Sequence, residues 1–84
     1  MRLLFTPPAV NDLAYWQAND AHLAGKIEQV LHKLKHGVPL HNHQMTALSL
    51  RLPDLFSVKV SSEHRIVFEQ LRDDVIVHQC RFHY

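Results

Sequence analysis

Cysteine is almost absent: Cys80 is the only one in 84 residues, so no intramolecular disulfide can form. A chain this short that folds without covalent staples fits a reducing compartment, and a cytoplasmic protein is the expectation. Glycine is equally scarce, with two residues, and proline numbers four, which excludes collagen-like and low-complexity disordered chains. Long hydrophobic runs are missing as well. The apolar Leu3-Leu4-Phe5 is cut off by Thr6-Pro7-Pro8, too soon for a signal-peptide core, and no stretch approaches the roughly 20 residues of a membrane span. Nor does charge of one sign dominate. Nine Lys and Arg against eight Asp and Glu leave +1, so any nucleic-acid binding must come from local placement of cations and not from bulk basicity.

What the chain does hold is 46% hydrophobic and 20% charged residues, an ordinary globular balance. The length allows one core, so residues 1–84 read as a single domain. Leu3, Leu4 and Phe5 read as a short strand. Thr6 before Pro7 opens a helix, a hydroxyl cap followed by a residue whose missing N–H costs nothing in the first turn. Val10, Leu13, Ala14 and Trp16 carry helical spacing up to Asn19. Asp20 caps a second helix from Ala21 to Lys35, whose Leu23, Ala24, Ile27, Val30, Leu31 and Leu34 form one apolar stripe. Gly37 and Pro39 end it, and Lys33, Lys35 and His36 suit the negative end of its dipole. Beyond a polar loop from Leu40 to Thr46 the rhythm changes to two, predicting strands over Leu48–Leu52, Phe56–Ser61, Arg65–Glu69 and Val75–Phe82. Strand, two helices, then four strands predicts an α+β fold: an antiparallel sheet with both helices on one face. Trp16, Phe5, Phe56 and Phe68 are its expected large core residues.

Alternation places Phe56, Val58 and Val60 toward the helices and Ser57, Lys59 and Ser61 on the open face. Arg65 then points outward beside Lys59, and the last strand sets Arg81 and His83 on one face, with Cys80, Phe82 and Tyr84 on the other. A concave face holding Lys59, Arg65, Arg81 and His83 would bind a phosphodiester and protonate a leaving oxygen. Periodicity alone favours the plainer reading of solvated residues on a two-faced sheet. Eight histidines raise the question of a metal, with His32 and His36 four apart on a helix and His41 and His43 in the loop. Zinc needs three or four converging ligands, and solvent-exposed histidines are the favoured reading. Cys80 reads as a core or half-buried thiol and not as a nucleophile. Arg51 and Arg72 read as surface charges.

The C-terminal third breaks the tie. Ser62-Glu63-His64-Arg65-Ile66-Val67-Phe68, followed by Cys80-Arg81-Phe82-His83-Tyr84, resembles the YoeB (Txe) family of bacterial toxins, within the RelE/ParE superfamily. Tyr15-Trp16-Gln17 followed by Asp20 is similar to that family's first helix and its boundary. The likeness covers essentially the whole chain without gaps.

The resemblance implies a RelE-like fold and a ribosome-dependent mRNA endonuclease, the toxin of a type II toxin–antitoxin pair. A ribose 2′-OH would attack the adjacent phosphate. Arg65 would stabilise the phosphorane, His83 would be the general acid, and Tyr84 would order the site and stack near a base. Lys59, where the family has an arginine, and Arg81 and Arg51 would contact RNA phosphates. Two positions depart from the family pattern: Thr46 stands at the glutamate general base and Ser49 at a lysine. His41 or His43 could replace the base, Glu63 is a weaker candidate, and the enzyme could also run slowly on Arg65 and His83 alone. No cofactor or metal is implied. The implied partners are a cognate antitoxin of the YefM/Phd kind, the ribosome with its mRNA, and a second toxin copy; no membrane is involved. A competing reading, favoured by Thr46 and Ser49, is an antitoxin-binding module that has lost catalysis. A third is a superfamily relative acting on DNA gyrase, against which Arg65 and His83-Tyr84 argue.

Overall fold

The computed structural model describes residues 1–40 and 54–81, together with the backbone of 45–47. Seven elements follow in order: β1 (Arg2–Phe5), α1 (Pro7–Asn19), α2 (Ala21–Lys35), β2 (Met45–Ala47), β3 (Leu55–Lys59), β4 (Arg65–Gln70) and β5 (Asp74–Gln79). The expected caps operate. Thr6, with an extended backbone, accepts the Ala9 N–H at 3.3 Å through its hydroxyl, and Pro follows in the first helical position. Asp20 accepts the Leu23 N–H at 3.0 Å. At the far end of α2, Gly37 adopts φ +66°, and the Val38 N–H reaches back to the Lys33 carbonyl at 2.9 Å. This left-handed turn is the conformation that favours glycine after a helix.

All six apolar positions expected of α2 are buried. They meet Val58, Val60, Ile66, Phe68, Val75, Val77 and Cys80 in one cluster, so both helices lie on one face of the sheet. On α1 the buried residues are Ala9 and Trp16, with Leu13 packed against the cluster, whereas Val10 is exposed. Among the expected large core residues, Trp16 and Phe68 are buried, and Phe56 stacks on Phe68 with centroids 5.8 Å apart. Phe5 is the exception. It ends an edge strand, beyond which no described strand lies to cover its ring, and it stays exposed.

The sheet order is β1-β5-β4-β3-β2. Strands β3, β4 and β5 are antiparallel neighbours as expected, and β2 pairs antiparallel with β3, but β1 joins β5 in parallel, with Arg2 opposite Asp74 and Phe5 opposite Val77. The sheet is therefore mixed. Hydropathy sets which face a strand buries, not the direction in which a chain end is added. Strand β2 begins inside the stretch read as a polar loop, with Met45 and Thr46, and ends one residue beyond it at Ala47. Three residues with a single β-branched side chain, Thr46, are too short for a period-two signal, and pairing with β3 decides their state. The expected strand over Leu48–Leu52 lies outside the described residues.

Strand β5 stops at Gln79, short of the expected Phe82. Val67 pairs with Gln79 while Phe68 pairs with Val77, which leaves His78 as the extra residue of a β-bulge. The bulge shifts the alternation by one, so Cys80 enters the core at 0% exposure. Among the described residues no helix is long and apolar enough to cross a membrane.

The β1–β5 junction carries the ion pair Arg2–Asp74, with Nε to Oδ1 at 2.8 Å and Nη2 to Oδ2 at 3.1 Å. These bonds hold the Asp74 carboxyl below its ordinary value. A carboxylate depressed in the folded state stabilises fully above the unfolded pKa and loses that contribution as pH falls through the folded one. The melting-temperature gap between the wild type and Asp74→Asn should thus be constant near neutrality and close on acidification below about pH 4. A thermal-denaturation series against pH measures it, and the exposed location keeps the effect small.

Candidate functional site

On the sheet face away from the helices, the register sets Lys59 at the end of β3 directly opposite Arg65 at the start of β4. Two cations facing each other across a ladder repel, so this pair needs a reason. Arg65 is anchored: its Nη1 donates to the Ser57 Oγ at 3.1 Å, two residues back along β3. Ser57, expected on an open face, is 1% exposed, as is its cross-strand neighbour Val67. The face is closed at this point, with the Arg65 guanidinium bonded to Ser57. Lys59 is exposed as expected.

The turn before Arg65 is held by its own hydrogen bonds. The Ser61 Oγ accepts the N–H groups of Glu63 and His64 at 3.3 and 3.1 Å, and the His64 carbonyl accepts those of Val60 and Ser61. Glu63 lies exposed in this turn, off the ladder row of Lys59 and Arg65. In the backbone ladder, Thr46 pairs with Ser57. Thr46 thus lies one strand away from the serine that anchors Arg65.

The chain after β5 is gripped by α1. The Thr6 hydroxyl donates to the His78 carbonyl at 2.8 Å, Asp12 accepts the Cys80 N–H at 3.1 Å, and the Trp16 indole N–H donates to the Cys80 carbonyl at 2.8 Å. The Trp16 ring also meets His64 edge-on, with centroids 4.5 Å apart. One side chain therefore touches the residue before Arg65 and the residue before Arg81. Arg81 itself departs from the expected row: strand geometry has ended, and its guanidinium lies 3.7 Å over the Tyr15 ring of α1, a cation–π contact. His78, carried by the bulge, pairs with Glu69 at 3.1 Å.

Cys80 packs against the Ala9 carbonyl. Burial, with nearby Asp12 adding to it, pushes its thiol up to about 12, so no thiolate is present at neutral pH and the nucleophile reading falls. Sequence reasoning missed Ser57, Asp12 and Tyr15. For Ser57 a signal was present, since alternation set it on Arg65's face. For the other two, only packing across the fold reveals the role. His41, His43, Ser49, Arg51, His83 and Tyr84 lie outside the described residues.

A pattern characteristic of YoeB-like toxins of bacterial type II toxin–antitoxin systems matches residues 5–84. The chain belongs to that family. Toxin YoeB of Escherichia coli is 25% identical over 84 residues, covering all of both chains. In structure, a YoeB/ParE toxin from Agrobacterium tumefaciens superposes with a TM-score of 0.86 at 28% identity, covering 100% of each chain. Staphylococcus aureus YoeB, solved as a dimer, gives 0.84 at 27% identity, with 100% of this chain and 98% of that one covered. The same toxin in a heterotetrameric complex with YefM gives 0.82 at 26%, with the same coverage. This YoeB-family toxin shares their α+β architecture.

Two outcomes follow from the α1 grip. Trp16→Phe keeps a ring but strands the buried Cys80 carbonyl, and should cost about 1–3 kcal/mol in denaturant unfolding. A thiol whose folded pKa is raised stabilises fully below the unfolded value, near 8.5, and loses that contribution as pH rises toward the folded one. Wild-type stability should therefore decline above about pH 8.5, and the decline should flatten in Cys80→Ala.

Proposed function

We propose that this toxin is a ribosome-dependent mRNA endonuclease acting as one 84-residue domain. The observation that carries the reading is the Lys59–Arg65 cross-strand pair with Arg65 anchored on Ser57. Such a pair is costly without an anion and well suited to one. In the reaction, the ribose 2′-oxygen bonds to the adjacent phosphorus while the bond from phosphorus to the 5′-oxygen breaks. The 2′-hydroxyl proton passes to a base, and the His83 imidazolium gives a proton to the leaving 5′-oxygen. Arg65 offers N–H donors to the phosphorane oxygens, and electrostatic stabilisation of that kind is commonly the largest catalytic term. Lys59 adds a point charge where the family's arginine would add a fork. Tyr84 orders the site, and Arg81 and Arg51 contact the RNA backbone.

Thr46 cannot accept a proton near neutral pH, so His41 or His43 takes the base role. The products are a 2′,3′-cyclic phosphate, or its opened form, and a 5′-hydroxyl; the 2′-hydroxyl is the nucleophile and no cofactor enters. The partner is an antitoxin of the YefM kind, as in the Staphylococcus aureus complex, and a toxin homodimer matches that protein's dimer. A second reading, an antitoxin-binding module without catalysis, is favoured by one observation: a threonine holds the base position beside Ser57 in the ladder.

The test is primer extension on mRNA in a purified translation system. Wild type should cut at ribosome-bound codons, and Arg65→Ala and His83→Ala should each reduce the rate about 10²–10³-fold. Ser57→Ala, which keeps the guanidinium and removes its anchor, should lose about tenfold. The His41→Ala, His43→Ala double variant should lose cleavage while keeping its fold by circular dichroism; unchanged cleavage removes both from the mechanism. Equal inertness of wild type and His83→Ala, with tight antitoxin binding, establishes the second reading.

A further inference from the structure

Helix α2 closes on His32-Lys33-Leu34-Lys35-His36, with two imidazoles one turn apart. Both rings are exposed, and their centroids are 4.4 Å apart at an interplanar angle of 49°. The backbone beneath them is set. The His36 N–H donates to the His32 carbonyl at 3.1 Å, Gly37 and Val38 close the turn, and Val30, Leu31 and Leu34 anchor the opposite side in the core. Only side-chain torsions remain to be ordered on binding.

Histidines four apart on one helix face are the spacing by which helical His-x-x-x-His pairs hold a single zinc. Metal–nitrogen bonds of about 2.0–2.1 Å require the two donor nitrogens to approach to roughly 3 Å, which rings already in contact reach by small rotations. The negative end of the helix dipole lies at this turn and favours a cation. Glu28, one turn back along the same stripe, adds negative charge, while Lys33 and Lys35 flank the pair and oppose it. We propose that His32 and His36 form a two-imidazole site for a late first-row divalent cation.

Imidazole donors suit copper, nickel and zinc and discriminate against magnesium and calcium, and the expected order of affinity places Cu2+ first. Among the described residues no group of three or more His, Cys, Asp or Glu could hold a metal. The ion is therefore held by two protein donors with water in its other positions, so it exchanges readily. This needs less than the three- or four-ligand convergence that sequence spacing argues against. The site lies on α2, on the helix side of the sheet, whereas Lys59 and Arg65 face the other way. It is independent of the proposed cleavage reaction.

The experiment titrates the full chain with Cu2+, with Zn2+ and Mg2+ as parallel arms. The proteins are wild type, His32→Ala, His36→Ala, the double variant, and His22→Ala, an exposed histidine in the first turn of the same helix. A second donor held nearby raises affinity by roughly 10²-fold through effective concentration. Each single variant should thus lose about that factor, the double variant little more, and His22→Ala nothing. Mg2+ should not bind. Zn2+ should slow amide exchange at His36, Gly37 and Val38 in wild type and in neither single variant. Small additive losses, a wild type no tighter than the double variant, tight binding that survives in the double variant, or an equal loss in His22→Ala would each overturn the proposal. All substitutions are at exposed positions, and circular dichroism checks that the fold is kept.

Discussion

The hydrogen bond from the Trp16 indole to the Cys80 carbonyl is the contact on which the arrangement of this toxin most depends. Strand β5 ends at Gln79, so the peptide groups of Cys80 have left the ladder and must find partners elsewhere, or pay the cost of burial. Helix α1 supplies both, Asp12 for the N–H and Trp16 for the carbonyl, while its cap residue Thr6 takes the carbonyl of His78. A helix near one end of the chain thereby acts as the missing strand neighbour for the other end. The same indole meets His64, so the turn leading into Arg65 and the segment leading into Arg81 rest on one side chain.

Electrostatics adds a second constraint. A chain of net charge +1 has little long-range attraction for RNA, and cations gain significance only where the fold gathers them. Pairing across two strands does so at Lys59 and Arg65, and the Ser57 hydroxyl holds the guanidinium in place. In contrast, Arg81 lies over an aromatic ring on α1, where its charge is spread against a π-face. In the proposed mechanism the first pair meets the scissile phosphate, and Thr46, one strand away from Ser57, leaves the proton-acceptor role to histidines that the family pattern does not use.

Local pattern reached far in the helices. Each apolar position of α2 is buried as its three-four spacing implies, and the Thr6 and Asp20 caps bond where their side-chain chemistry puts them. Both are interactions within a few residues, which a linear reading captures. The reading failed where the partner was distant in sequence. Phe5 is apolar yet exposed, because β1 became an edge. Met45–Ala47 pairs as a strand because β3 lies beside it. Strand β5 stops at Gln79, so Arg81 leaves the row that continued alternation gives it and lies over Tyr15. Of the candidate site, the placement of Lys59 beside Arg65 was legible from alternation. Alternation put Ser57 on the same face but showed neither its burial nor the diagonal bond from Arg65 across two strands.

The order of residues by itself determined the two helices and their caps, the buried stripe of α2, the strands β3 and β4, and membership of the toxin family, because these rest on short-range periodicity and on motifs carried by contiguous residues. Tertiary structure alone decided the parallel docking of β1 on β5, the pairing of Met45–Ala47 with β3, and the seating of Arg65 on Ser57 and of Arg81 on Tyr15. Those outcomes depend on which peptide groups and rings meet after the chain ends come together, and such long-range pairings leave no period in the sequence.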